Sequence, residues 1–239
     1  MTSARKSVRP FLIPAGVALA AVAFGLVSWQ ATAPAEKGAR GAGASAAPRT
    51  DSATAQLKAL ARREAGDALA VGRADAPVVL IEYSDFKCGY CAKFARDTEP
   101  ALVKKYVEDG TLRIEWRNFP IFGAESEAAA KAAWAAGQQD RFQQFHAAAY
   151  AEGAKEKGFG AERLLELARE AGVPDLERFK ADSAGEQAAA ALKRDQDEGY
   201  RIGVTSTPSF LVGGRPIAGA QPLDAFEAAI AQAKAAAKQ

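Results

Sequence analysis

The 239-residue sequence has only two cysteines, one histidine and one methionine, so it offers few soft metal ligands. A structural zinc site needs four ligands, and Cys88, Cys91 and His146 leave it short without a carboxylate or a second chain. A covalent haem site of the CxxCH type is also excluded, because Ala92 follows the second cysteine. We therefore expect no metal and no organic cofactor.

The sequence also lacks a large excess of charge of either sign. Lys and Arg total 31 against 29 Asp and Glu. The basic residues Arg5, Lys6 and Arg9 lie in the first 30 positions, which contain no acid, so the remainder is close to neutral. Without a basic stripe this remainder cannot hold a phosphate backbone, and no nucleic acid partner is expected. The content of 49% hydrophobic and 25% charged residues is typical of a globular protein.

Long hydrophobic runs are absent except for one near the N-terminus. Residues 11–29, FLIPAGVALAAVAFGLVSW, would extend about 28 Å as a helix, which matches the hydrocarbon core of a bilayer. The run is longer than the apolar core of a cleavable signal peptide, and the basic residues before it predict a cytoplasmic N-terminus. We expect a basic cytoplasmic segment at 1–10 and a transmembrane signal-anchor at 11–30.

The domain that follows is then expected outside the cytoplasm, tethered to the cell membrane by a single span. The alternative is cleavage after Ala33 or Ala35, which would release a secreted protein. Either route exports the domain to an oxidising compartment. Residues 31–66 are rich in Ala, Gly, Pro and Ser and predict a flexible linker, with a short helix at 56–64.

The remaining residues, 67–239, alternate between strand and helix signals. In chain order we predict a strand at 78–83, a helix from Tyr90 kinked at Pro100, a strand at 111–119, an Ala-rich helical block at about 124–200, a hairpin around Gly213 and Gly214, and a helix at 222–238. The strands on the two sides of the helical block need one another to form a sheet. We therefore interpret the block as an insertion into an α/β core.

The two cysteines form a CxxC motif, Cys88-Gly89-Tyr90-Cys91, between the first strand and the helix after it. A helix N-terminus stabilises a thiolate, which predicts that Cys88 is the nucleophile and Cys91 the resolving thiol. Lys87 would add favourable charge if it turned towards the thiolate. A purely structural disulfide is the other interpretation, but so short a loop constrains the unfolded chain little.

The segments EYSDFKCGYC at 82–91 and VTSTPSF at 204–210, separated by an all-helical block, resemble those of the DsbA-like thiol-disulfide oxidoreductases. The resemblance covers about residues 67–239 and implies a thioredoxin-like fold with an inserted helical subdomain. It also implies that the Thr207-Pro208 bond is cis and packs against the redox pair. Thr207, Pro208, Gly89 and Tyr90 are expected to contact the substrate chain.

Glu82 is an acid in an otherwise apolar strand, six residues before Cys88. The resemblance implies that its carboxyl group lies beneath the disulfide and exchanges a proton with Cys91. Burial would raise its pKa towards that task. The alternative is a glutamate at the end of the strand that reaches solvent.

The resemblance leaves several thiol reactions open. The expected function is disulfide donation to exported proteins that carry cysteine thiols, with a membrane redox partner that resets the Cys88–Cys91 disulfide. Strongly oxidising members have a His within the motif where this chain has Gly89-Tyr90. The Gly-Tyr pair and Thr207 look like the exported isomerases, but residues 31–66 are too short and polar for their dimerisation domain, so we expect a monomer.

Isomerase activity therefore remains an alternative, and so does reductase activity, including electron supply to cytochrome maturation. A further alternative is a peptide-binding or chaperone module that does not catalyse. It would use the helical block as a groove and the disulfide only for stability.

Overall fold

The fold is described from a computed structural model, which covers residues 48–238. The strands are β1 (Ala70–Val71), β2 (Val78–Ser84), β3 (Leu112–Asn118), β4 (Ser209–Val212) and β5 (Arg215–Ala218). The helices are α1 (Pro48–Lys58), α2 (Gly89–Asp97), α3 (Glu99–Leu102), α4 (Ala124–Gly137), α5 (Phe142–Ala149), α6 (Ala161–Glu170), α7 (Leu176–Ala184), α8 (Glu186–Arg201) and α9 (Leu223–Ala236). A π-helical segment, Val103–Val107, and a short 3-10 turn, Lys155–Lys157, complete the set.

The five strands form one mixed sheet in the order β1-β3-β2-β4-β5. Strands β2 and β3 pair in parallel, and the other neighbours are antiparallel. The central strand β2, VVLIEYS, is buried along its whole length, which explains its nearly continuous apolar sequence. The hairpin turn between β4 and β5 uses Gly213 and Gly214, both with positive φ. These strands were predicted, whereas the two-residue β1 was not.

The expected helical insertion is present between β3 and β4, as helices α4 to α8. These helices extend from Ala124 to Arg201, where the sequence is rich in Ala. The helix predicted from Tyr90 with a kink at Pro100 is instead two helices, which meet at Thr98. The reason is that Pro100 has no N–H to donate to the carbonyl of Arg96, so the helical hydrogen bonding is interrupted there.

The helix expected at 56–64 differs from the observed one, which is α1 and ends at Lys58. Beyond it, the backbone N–H groups of Arg62 and Arg63 donate hydrogen bonds of 3.0 and 2.8 Å to the carboxylate of Glu115 on β3. These N–H groups therefore bind a side chain of β3 and do not form helical hydrogen bonds. In the described residues, the last part of the predicted linker packs against the folded core.

A buried ion network lies on the face of β3 opposite its apolar face. Arg117 donates to Glu115 at 2.8 Å and to Glu198 at 2.9 Å, and both Arg117 and Glu115 have fully buried side chains. Arg62 connects the network to Asp195 of α8 at 2.8 Å. Four hydrogen bonds outweigh the effect of burial and lower the pKa of Glu115 to about 2. The network attaches the α1–β1 segment and α8 to the same strand.

The predicted cytoplasmic segment, signal-anchor and first part of the linker lie outside the described residues. Between residues 48 and 238, none of the helices combines the length and the apolar character that crossing a membrane requires.

Candidate active site

Cys88 and Cys91 lie where β2 leads into α2, and both are free thiols. Cys88 is the N-cap residue of α2, and its sulphur accepts a hydrogen bond of 3.4 Å from the N–H of Cys91. That N–H is one of the donors that a helix N-terminus leaves without an intrahelical partner. Both residues are buried, and Cys91 is the more deeply buried of the two.

The loop before β4 completes the site from the other side of the insertion. The Thr207-Pro208 peptide bond is cis, as the resemblance implies. The thiol of Cys88 donates a hydrogen bond of 3.2 Å to the carbonyl oxygen of Thr207. Antiparallel pairing of β4 with β2 brings this loop beside the CxxC motif. The hydroxyl group of Thr207 has no hydrogen bond of good geometry among the described residues, but it lies near enough to the Cys88 sulphur to favour the thiolate.

The two thiols have opposite acid-base properties. The hydrogen bond with Cys91 lowers the pKa of Cys88 to about 6, with further contributions from the Thr207 hydroxyl and from backbone N–H groups of the helix end. Burial raises the pKa of Cys91 well above its ordinary value, and the charges of Cys88 and Glu82 raise it further. Cys88 is therefore the thiol that ionises near neutral pH.

Glu82 is completely buried on β2, and its register neighbours are Trp116 on β3 and Phe210 on β4. Neither of its carboxyl oxygens has a hydrogen-bond partner among the described residues. Burial raises the pKa of Glu82 to about 8. The strand-end alternative, a carboxylate in solvent, is therefore wrong.

The other two residues of the motif face solvent. Tyr90 is 69% exposed, the highest value among the large hydrophobic residues between 48 and 238. Gly89 leaves room for the ammonium group of Lys155, which would lie 3.4 Å from a Cβ at this position. Both residues are therefore open to a partner that approaches Cys88.

Lys87 does not pair with the thiolate. Its ammonium group donates a hydrogen bond of 2.8 Å to Glu125 at the start of α4. Cys88 therefore owes its low pKa to hydrogen bonds rather than to a neighbouring cation.

The sequence analysis missed several polar residues behind the motif. Asp85 accepts hydrogen bonds from the N–H groups of Lys87, Ile121 and Phe122, and so fixes the loops on both sides of the site. Its position at the carboxyl end of a central strand is the signal that could have found it. The remaining missed residues are Ser84, Glu99, His146 and Tyr150.

No group of three or more His, Cys, Asp or Glu side chains in residues 48–238 has an arrangement that could hold a metal ion.

Comparison with known proteins places this site in a family. A family model described as Thioredoxin matches residues 64–232. The probable disulfide bond formation protein D of Bacillus anthracis is 31% identical over 150 residues, which make up 60% of this chain and 69% of that protein. The thiol-disulfide exchange protein alpha-DsbA2 from Wolbachia pipientis has the same fold, with a TM-score of 0.62 at 22% identity, over 77% of this chain and 97% of that one.

A third relative matches this chain over only a small part of its own length. The Na(+)/H(+) antiporter NhaA 3 of Salinispora tropica is 32% identical over 169 residues, which are 70% of this chain but only 25% of the antiporter. This chain thus spans a quarter of that relative, and the name gives it no antiport activity. The residues that the Thioredoxin family model matches, 64–232, include the CxxC motif and the cis-proline loop. The chain belongs to the thioredoxin family, among its DsbA-like thiol-disulfide oxidoreductases.

Proposed function

We propose that this protein is an exported disulfide donor, which passes the Cys88–Cys91 disulfide to pairs of cysteines in newly exported proteins. The observation that carries the proposal is the position of Cys88 as the N-cap of α2, where its sulphur accepts a hydrogen bond of 3.4 Å from the N–H of Cys91. This environment lowers the pKa of Cys88 to about 6, whereas burial raises the pKa of the resolving thiol. A stable Cys88 thiolate favours the reduced form of the pair, and a pair whose reduced form is favoured oxidises other thiols.

The reaction begins when a substrate thiolate attacks the Cys88 sulphur of the oxidised pair. A mixed disulfide forms, the Cys88–Cys91 bond breaks, and its electron pair stays on Cys91. A thiolate at this buried position is costly, so Glu82 donates a proton to Cys91. The carboxyl group of Glu82 has this proton to give because burial raises its pKa to about 8. A second substrate thiolate then attacks the substrate sulphur, and Cys88 leaves as a thiolate. The substrate has lost two electrons, and the enzyme pair has gained them.

The substrate chain is proposed to bind beside Thr207 and Pro208. The hydrogen bond of 3.2 Å between Cys88 and the Thr207 carbonyl supports this, since a chain joined to Cys88 must run past that backbone. The exposed ring of Tyr90 and the open backbone at Gly89 would contact the same chain on the other side.

The cellular setting is proposed from the N-terminal sequence. A single span at 11–30 would tether a monomeric domain outside the cytoplasm, where substrates are oxidised as they emerge. Each donation leaves the pair reduced. A membrane protein that accepts two electrons would have to restore the disulfide, and an anchored donor would meet it in the plane of the bilayer.

The direct experiment follows the oxidation of reduced, unfolded ribonuclease A by the oxidised protein. The wild-type chain should form disulfides in the substrate, and Cys88→Ser should abolish this. Cys91→Ser is given ribonuclease A with scrambled disulfides instead. Its Cys88 thiolate should attack a substrate disulfide and expel one substrate sulphur as a thiolate, and the covalent complex should accumulate because no resolving thiol remains to release it. A complex trapped by Cys88→Ser instead would contradict the assignment of the nucleophile.

The peptide-binding alternative has one observation in its favour. A groove of about 500 Å³ lies between α4, α6 and α7, with apolar walls that include Leu164, Leu165 and Phe179. If binding alone were the function, Cys88→Ser would bind unfolded peptides and assist refolding as well as the wild type does. Loss of oxidation in the same variant distinguishes the two functions.

A further inference from the structure

Two further titratable side chains are buried behind the site, and the proposed reaction does not use them. Glu99 begins α3 and His146 lies in α5, and both are buried. His146 Nε2 and Glu99 Oε2 are 3.9 Å apart. Neither atom has a hydrogen-bond partner among the described residues. Burying polar groups without partners costs stability, so their presence requires an explanation.

Contacts across the sheet connect this pair to Glu82. Trp116 is the register neighbour of Glu82 on β3, so the two side chains share one face of the sheet. The indole ring of Trp116 lies 5.3 Å from the imidazole of His146, centroid to centroid. Its Nε1 atom also has no hydrogen-bond partner in the described part of the chain. The buried polar atoms thus form one cluster, which runs from beneath Cys91 to the first turn of α3.

Five titratable groups face this cluster, from four elements. They are Glu82 from β2, Cys91 from α2, Glu99 from α3, His146 from α5 and Tyr150, the residue that caps the C-terminus of α5. The phenol of Tyr150 is already paired with Ser84 Oγ at 2.9 Å and stays neutral, because burial raises its pKa well above its ordinary value. Burial lowers the pKa of His146 to about 3, so this ring is neutral at physiological pH.

Glu99 is the one acid of the cluster with access to water. Its side chain is 9% exposed, whereas Glu82 is completely buried. Burial raises the pKa of Glu99 well above its ordinary value, and a negative charge on Glu82 raises it further. Both effects favour the protonated form of Glu99, which lies on the solvent side of Glu82.

We propose that Glu99, with His146 beside it, carries protons between solvent and Glu82. The inference rests on the proposed role of Glu82. After Glu82 has protonated Cys91, the carboxyl group of Glu99 returns a proton to the Glu82 carboxylate, and water then reprotonates Glu99. When the pair is reoxidised, the proton leaves by the same route in reverse. No electrons move in these steps. Glu99 touches neither sulphur nor substrate, so it is a positioning residue that acts through Glu82.

The test compares Glu99→Gln in the full chain with Glu108→Gln, which changes an exposed glutamate four residues before β3 and outside the cluster. The first turnover of the oxidised enzyme with a thiol peptide is measured by acid quenching and thiol labelling. Steady-state turnover is measured with glutathione disulfide as the terminal oxidant, in H₂O and in D₂O. The reduction potential and the urea unfolding midpoint of each variant are recorded as well.

Glu99→Gln should keep the first turnover and the reduction potential, because the neutral amide replaces an acid whose protonated form is favoured by burial. Its steady-state rate should fall on the order of tenfold, and its solvent isotope effect should rise, as expected when a group that transfers protons is lost. Its unfolding midpoint should be unchanged or higher. Glu108→Gln should match the wild type in every measurement.

Two outcomes would overturn the inference. One is an unchanged steady-state rate and isotope effect in Glu99→Gln. The other is a lower rate accompanied by a shifted potential or a lower unfolding midpoint, which indicates a structural role. Failure of the proposed function is recognised separately, because Glu82→Gln would then leave the first turnover unchanged.

Discussion

The thiol of Cys88 and the carbonyl oxygen of Thr207 are 3.2 Å apart, although 119 residues separate them in sequence. Strand pairing produces this contact, since β4 lies antiparallel to β2 and its N-terminal end meets the C-terminal end of β2. The nucleophile, the backbone proposed to hold the substrate and the buried acid Glu82 therefore belong to neighbouring strands and their ends. A rigid sheet, rather than a mobile loop, sets the distances in the site.

The low pKa of Cys88 predicts the pH dependence of its alkylation. The rate with iodoacetamide should rise with a midpoint near pH 6, well below the value of about 8.5 for an ordinary free thiol. Cys91 should remain unmodified in the native protein because it is completely buried, whereas Cys88 is 5% exposed. Mass spectrometry after timed labelling measures both, and Cys88→Ser gives the background. A midpoint at pH 8 or above would contradict the assignment.

The hydroxyl group of Thr207 contributes to the low pKa of Cys88. Thr207→Val keeps the size of the side chain and removes the hydroxyl, so the alkylation midpoint of Cys88 should move to higher pH. The pair should also become less oxidising, because a less stable thiolate favours the disulfide. Thr205→Val, at an exposed position in the same loop, is the matched control and should leave both quantities unchanged. Equal shifts in the two variants would argue against a specific effect of Thr207.

Glu82 should reduce the stability of the reduced protein as the pH rises. Its pKa is about 8 when folded and near 4.5 when unfolded, so between these values the unfolded chain releases a proton that the folded protein retains. Unfolding is therefore favoured by up to about 1.4 kcal/mol for each pH unit in this window. Glu82→Gln removes the effect. Urea unfolding should show that the variant gains stability relative to the wild type between pH 5 and pH 8, whereas a constant difference would show that Glu82 is ionised throughout.

Glu115 should have the opposite effect on stability. Its pKa is about 2 in the folded protein, so it stabilises the fold above its ordinary pKa, and this stabilisation is lost as the pH falls through the folded value. Glu115→Gln removes one of the two carboxylates that pair with the buried Arg117 and should cost about 3 to 5 kcal/mol at pH 7. Asp75→Asn breaks the exposed pair with Arg73, whose side chains are both 70% exposed, and is the control. Equal unfolding midpoints in the two variants would contradict the importance of the network.

The cysteine pair and the proline loop beside it could be predicted from the sequence, because each has a local signal. Cys88 and Cys91 lie three positions apart at the start of a helix, and Pro208 precedes a strand that ends in a Gly-Gly turn. The insertion could be predicted from its change in composition. The pairing of β2 with β4 could also be predicted, because the strands on the two sides of the insertion need one another to form a sheet.

The rest depends on contacts that leave no local pattern. Arg113, Glu115 and Arg117 alternate with apolar residues as they would on a strand with one solvated face, yet α8 and the segment before β1 bury them. Glu99 looks like an ordinary acid in the first turn of a helix, and its burial depends on α5. Such burial is a property of tertiary packing, so the sequence alone could not reveal it.

The central claim is that the pair donates its disulfide, and the reduction potential of Cys88–Cys91 tests it most directly. The oxidised protein is equilibrated with glutathione buffers of known ratio, and the thiols are trapped and counted. The account predicts a potential between about −120 and −180 mV, the range of disulfide donors and isomerases, whereas a value at or below about −250 mV would show that the reduced pair delivers electrons and would contradict the donor function.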